Sequence, residues 1–180
     1  MTTLLMWLLP AVLLFWSVGA YNRLVRLRGE VKSAFASVEA EFQRHLQLAQ
    51  DLPPDDGEDP ARARGSAPVW AQVRAATDQL ASTLAGARAR PLDPQGIEAL
   101  RTATDVLAMA WDRAEREDAH DLGGPRLPET HAAVRAQVLA QVQAATQQFN
   151  DAVTRYNRAI AQFPAVLLAW VFGFRAGTAL

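Results

Sequence analysis

The chain has no cysteine. Disulfides, thiol catalysis and Cys-based zinc or iron–sulfur sites are therefore excluded. Isoleucine is scarce, with two residues against 35 alanines. Alanine is the best helix former and β-branched residues favour strands, so the composition points to an all-α protein. Net charge is almost nil, −1 over 180 residues, which argues against a dedicated nucleic-acid binder. No phosphate-binding glycine loop, HExxH pair or nucleophile elbow occurs. What remains is one domain's length of chain whose apolar residues are half of the total and unevenly spread.

The densest apolar block opens the chain. Leu4 to Ala20 carry no charge, and the first charged side chain is Arg23. As a helix, residues 1–21 reach about 31 Å, close to the thickness of a hydrocarbon core. Trp7, Trp16 and Tyr21 suit the interfaces. The block is expected to be a transmembrane anchor, 1–21. A cleaved signal peptide is the competing reading, and the lack of a basic n-region counts against it. Arg23, Arg26, Arg28 and Lys32 follow the block and none precedes it. By the positive-inside rule, a single pass at the inner cell membrane puts the N-terminus outside and the rest in the cytoplasm.

Beyond the block, apolar residues recur at alternating spacings of three and four. The stripes are Val31-Phe35-Val38-Phe42-His45-Ala49, Val69-Val73-Ala76-Leu80-Leu84-Ala87, Ile97-Leu100-Thr104-Leu107-Trp111-Ala114 and Val138-Val142-Ala145-Phe149-Val153-Tyr156-Ile160-Phe163. Four stripes with a coiled-coil-like period predict an antiparallel four-helix bundle over 22–163. Residues 51–68, with four prolines, two glycines and an acidic cluster, predict a long mobile loop. Asp93 is placed to cap a helix starting at Pro94. An antiparallel order returns Phe163 to the start of the first helix. The apolar tail 164–180 then lies at the membrane-proximal end, either at the interface or packed as core.

Candidate chemistry is sparse. Glu117 and His120 have an i, i+3 metal-ligand spacing, but it occurs once, at a charged helix end, so no metal site is expected. His45 and His131 lack a nucleophile or acid at suggestive spacing. Arg23, Arg26, Arg28 and Lys32 read as a basic collar for anionic headgroups. Gly173 and Gly177 form a GxxxG interrupted by Arg175, a poor dimerisation signal.

One pattern exceeds what a bundle requires. Phe149-Asn150, Tyr156-Asn157 and Phe163-Pro164 place an aromatic every seven residues, and Tyr21-Asn22 stands after the apolar block. The strings YNRLVRLRGEVKSAF and FNDAVTRYNRAIAQFPAVLLAWVFGF resemble the LemA family of bacterial membrane-anchored proteins. The matching positions are Tyr21, Asn22, Leu24, Val25, Arg28, Val31 and Ala34 in the first string. In the second they are Asn150, Val153, Tyr156, Asn157, Ile160, Phe163, Pro164, Ala169, Phe172, Gly173 and Phe174. Phe35 stands where the family has Trp, and Phe149 where it has Tyr.

The resemblance implies an N-terminal anchor, a helical bundle, no enzymatic activity and no cofactor. The expected role is a membrane-anchored scaffold of the bacterial envelope, touching lipid and either a protein partner or a second copy through bundle or tail. The alternative is a lipid- or small-molecule-binding bundle with a groove lined by Tyr156, Trp170 and Phe172. The Tyr-Asn pairs are read as polar locks between the first and fourth helices.

Overall fold

The computed structural model describes residues 2–50, 63–120, 129–163 and 165–180; within these, side chains are described at 12, 14–49, 70–117, 132–163 and 165–180. Five helices occur among the described residues: α1 (Thr2–Gln50), α2 (Ala63–Ala89), α3 (Pro94–His120), α4 (Glu129–Ala161) and α5 (Ala165–Phe172). The all-α expectation holds among them. The acidic cluster and most of the loop 51–68 lie outside the described residues. Helix α2 already begins at Ala63, so Pro68 falls inside a helix rather than ahead of one.

No separate anchor helix precedes the bundle. Helix α1 runs unbroken through the Tyr21-Asn22 boundary, because nothing between Ser17 and Gln50 is a helix breaker other than isolated glycines. Among the described residues no helix is long and apolar enough to cross a membrane. The expected span over 1–21 lies largely outside the described side chains.

The stripes account for the core. Every described residue of the first two stripes is buried, and Leu24 and Leu27 extend the first towards the N-terminus. On α3 the burial falls on Ala103 rather than Thr104, whose hydroxyl bonds the Leu100 carbonyl within its own helix. On α4 the stripe is buried through Tyr156, and Ala152 and Ala159 join it. Phe163 departs from the reading: it is 75% exposed, because α4 ends at Ala161 and the chain turns before its side chain can point inward.

Helix α1 packs along α4 and α2 along α3, with α2 also meeting α1. Phe35 and Phe149 meet edge to face at 5.6 Å, and Trp16 lies 6.1 Å from Phe163, so α1 and α4 run antiparallel. At the far end of the bundle Trp70 packs on Trp111, and the Arg135 guanidinium lies 4.7 Å over the Trp111 ring while pairing with Glu115. Arg88 reaches Glu39 between α2 and α1 at 3.1 Å.

The turn between α2 and α3 follows its chemistry. Asp93 Oδ2 accepts the Gly96 N–H at 3.2 Å and the Asp93 carbonyl accepts that of Ile97, so Asp93 is the N-cap and Pro94 the first helical residue. Asp93→Ala is expected to lower stability by about 1 kcal/mol, read from urea denaturation; an unchanged midpoint would remove the cap's role.

Candidate functional site

The site is the end of the bundle where α1 begins and α4 finishes. After α4 the chain forms α5, then reverses at Gly173. The Phe174 N–H donates to the Ala169 carbonyl at 2.9 Å, the six-to-one bond of a Schellman cap, with Gly173 at φ 69°. That left-handed conformation suits a residue without Cβ, which explains the glycine.

Residues 174–180 then run back along α4 as an extended strap. Asn157 donates through Nδ2 to the Gly177 carbonyl at 2.8 Å and accepts the Gly177 N–H on Oδ1 at 3.0 Å. Asn150 does the same with Leu180, donating at 2.9 Å and accepting at 2.7 Å. Each side-chain amide thus pairs with both the N–H and the C=O of one residue, as a neighbouring strand would. The register follows from the geometry. Seven helical residues advance about 10.5 Å, and three extended residues about 10 Å, so asparagines seven apart meet residues three apart. Arg101 of α3 adds a bond from Nη2 to the Ala179 carbonyl at 3.0 Å.

This corrects the reading of the Asn residues as locks between α1 and α4. Asn150 and Asn157 are half-buried and bind the chain's own end. Their aromatic neighbours do the interhelical packing: Tyr156 is 1% exposed in the core and Phe149 is fully buried against Phe35. Burial raises the Tyr156 pKa, opposed in part by Arg28. Asn22 is exposed on α1. Tyr21 packs on Phe172 at 5.0 Å and Phe174 at 6.0 Å, and the Arg28 guanidinium lies 5.9 Å over the Phe174 ring. Of the motif residues, Tyr21, Arg28, Phe172 and Phe174 are therefore brought together beside α5, and Asn150 and Asn157 lie along the strap; Pro164 lies outside the described residues.

Gly177 sits in close contact with the α2–α3 turn. A Cβ there would stand 2.5 Å from Leu92 Cδ2, so the strap is wedged against the α2–α3 turn. The GxxxG spacing thus reflects a helix cap and a close approach.

The collar is looser than the sequence suggests. Arg26 reaches Glu30 at 3.7 Å, Arg155 of α4 reaches the same Glu30 at 4.0 Å, and Arg23 lines an open groove of about 360 Å³ with Trp16, Gly19, Leu24, Phe163 and Ala165. Lys32 lies exposed on the next turn of α1. The groove expected from Tyr156, Trp170 and Phe172 does not form, because Tyr156 is core, Trp170 is 86% exposed and Phe172 leans on Tyr21.

At the opposite end, Glu117 is paired with Arg113 at 2.8 Å; the side chains of His120 and His131 lie outside the described residues. His45 is buried, and among the described residues neither ring nitrogen has a hydrogen-bond partner. Burial, helped by the Arg135 charge, lowers its pKa from 6.5 to about 4.

Among the described residues, fold and site define a helical protein whose last long helix clamps the chain's own extended segment 174–180 through side-chain amides. Residues 135–180, spanning most of α4, α5 and the strap, match the LemA family, which the two motif strings resemble. No curated protein and no solved structure matches the chain.

Proposed function

We propose that this is a non-enzymatic, LemA-like scaffold held at the cytoplasmic face of a bacterial cell membrane by the α1–α5 end of its bundle. One observation carries the reading. Of the exposed large hydrophobic residues among those described, all but Met109 and Val134 fall in 12–25 or 163–172. The structure gathers these two stretches at one end. A concentrated apolar patch rimmed by polar groups marks an interaction surface. The basic collar beside it suits the negative surface potential of the cytoplasmic leaflet.

The test is the location of the full chain in bacterial cells. Expressed with a fluorescent reporter that matures only in the cytoplasm fused after Leu180, it is expected to fluoresce and to sediment with membranes through a salt wash. A dark fusion would reverse the sidedness, and recovery in the soluble fraction would remove the membrane reading.

A further inference from the structure

We propose that α5 is a lipid-contacting helix, lying in the headgroup region of an anionic bilayer beside the start of α1. The proposal rests on the membrane-surface reading above and specifies α5 as a lipid contact in its own right, separable from that of α1.

All eight residues of α5 are apolar, yet only Ala169 is buried; Leu167, Trp170, Val171 and Phe172 are each more than half exposed. Eight helical residues extend about 12 Å, far short of a bilayer crossing, so such a helix suits the interface plane. A Trp facing outward from it is the side chain that best tolerates that layer.

The surface is continuous with that of α1 through Trp16–Phe163 and Tyr21–Phe172. It is also held from both sides. Helix α4 fixes its entry, and the Gly173 cap with the Asn157 and Asn150 bonds fixes its exit. An apolar helix tied down in this way is displayed rather than loose.

Charge selects the occupant. Residues 1–29 and 152–180 contain six arginines and no carboxylate side chain, whereas residues 30–151 hold 12 basic and 19 acidic side chains. The near-zero net charge therefore hides a positive end and a negative body. Of the six, Arg155 and Arg26 lean on Glu30 and Arg28 on Phe174. Arg23, Arg158 and Arg175 have no ion pair among the described residues. An exposed apolar face accompanied by arginines, three of them without an acidic partner among the described residues and two sharing Glu30, matches a layer of acyl chains under anionic phosphates.

The absence of native cysteine makes the test direct. Full-length chains carrying Trp170→Cys, Leu14→Cys or, as an aqueous control on α2, Ser82→Cys are labelled with an environment-sensitive fluorophore. They are reconstituted with phosphatidylglycerol–phosphatidylcholine vesicles containing brominated lipid. Position 170 is expected to shift to the blue and to be quenched by the brominated chains, with position 82 unaffected. Arg158→Glu is expected to weaken the response at 170 by at least roughly fivefold in lipid concentration, the effect of losing one positive charge near an anionic surface before the added negative charge is counted.

Quenching at 14 with 170 still aqueous would overturn the α5 proposal and leave the α1 attachment standing. Quenching at 170 without 14 would keep the α5 contact and remove α1. No quenching at either would overturn both. A blue shift at 170 that brominated lipid does not quench would mean that protein covers α5, and the proposal would fall.

Discussion

Replacing Asn150 and Asn157 together by alanine should free the strap while leaving the bundle folded. Four hydrogen bonds are lost. At a net value of about 1 kcal/mol each, discounted for partial exposure, the docking of residues 174–180 should weaken by about 2–4 kcal/mol. Amide exchange at Gly177 and Leu180 should therefore accelerate by roughly a hundredfold, with the helical content unchanged. Asn157→Asp is the sharper probe. It keeps the shape and the Oδ1 acceptor but sets a carboxylate oxygen against the Gly177 carbonyl where Nδ2 now donates. Two acceptors facing each other should make this change at least as damaging as alanine. If the Asn157→Asp variant holds the strap as well as the parent does, amide pairing is not what binds it.

The second large effect is acid sensitivity centred on His45. In the folded chain its pKa lies at about 4, against 6.5 for the free side chain. Above pH 6.5 the imidazole is neutral in both states and stability is unaffected. As pH falls from 6.5 to about 4, the unfolded chain binds a proton that the folded chain refuses, so stability declines across that window. The full loss is about 3 kcal/mol. Below that window this contribution stops growing. Arg135 is the charged group beside it, and Glu115 is paired with that arginine. His45→Leu should abolish this part of the pH dependence and leave the shared carboxylate contribution in place. It should also cost little at neutral pH, because it removes two buried nitrogens that have no partner among the described residues. Urea midpoints taken from neutral pH down through this acid window measure both; parallel curves for the parent and the variant would sink the assignment.

The bundle was legible because its information is periodic. Spacings of three and four put Val31, Phe35, Val38 and Phe42 on one face, and burial of that face is what the apolar effect requires. The cap at Asp93 was legible because it is local, spanning three residues. The start of α2 was misplaced, because Pro68 carries a propensity that the surrounding helix overrode.

The strap was not legible, and the reason is geometric. An asparagine every seven residues fits a buried polar lock on a neighbouring helix as well as it fits an extended chain beside it. The sequence contains Gly177 and Leu180 with no mark of what they bind. Burial of Phe163 failed for a related reason: the stripe continues in sequence after the helix carrying it has ended.

By itself, then, the sequence determined the helical class, the faces that form the core, the cap at Asp93 and the family motifs, all set by neighbours within a turn or two of helix. Only the tertiary structure decided that the asparagines bind the chain's own end, that α5 stays outside the core, and that two arginine-bearing stretches without acidic side chains, from opposite ends of the chain, meet. Those features depend on segments far apart in sequence coming together, and distances along the chain carry no record of distances across it.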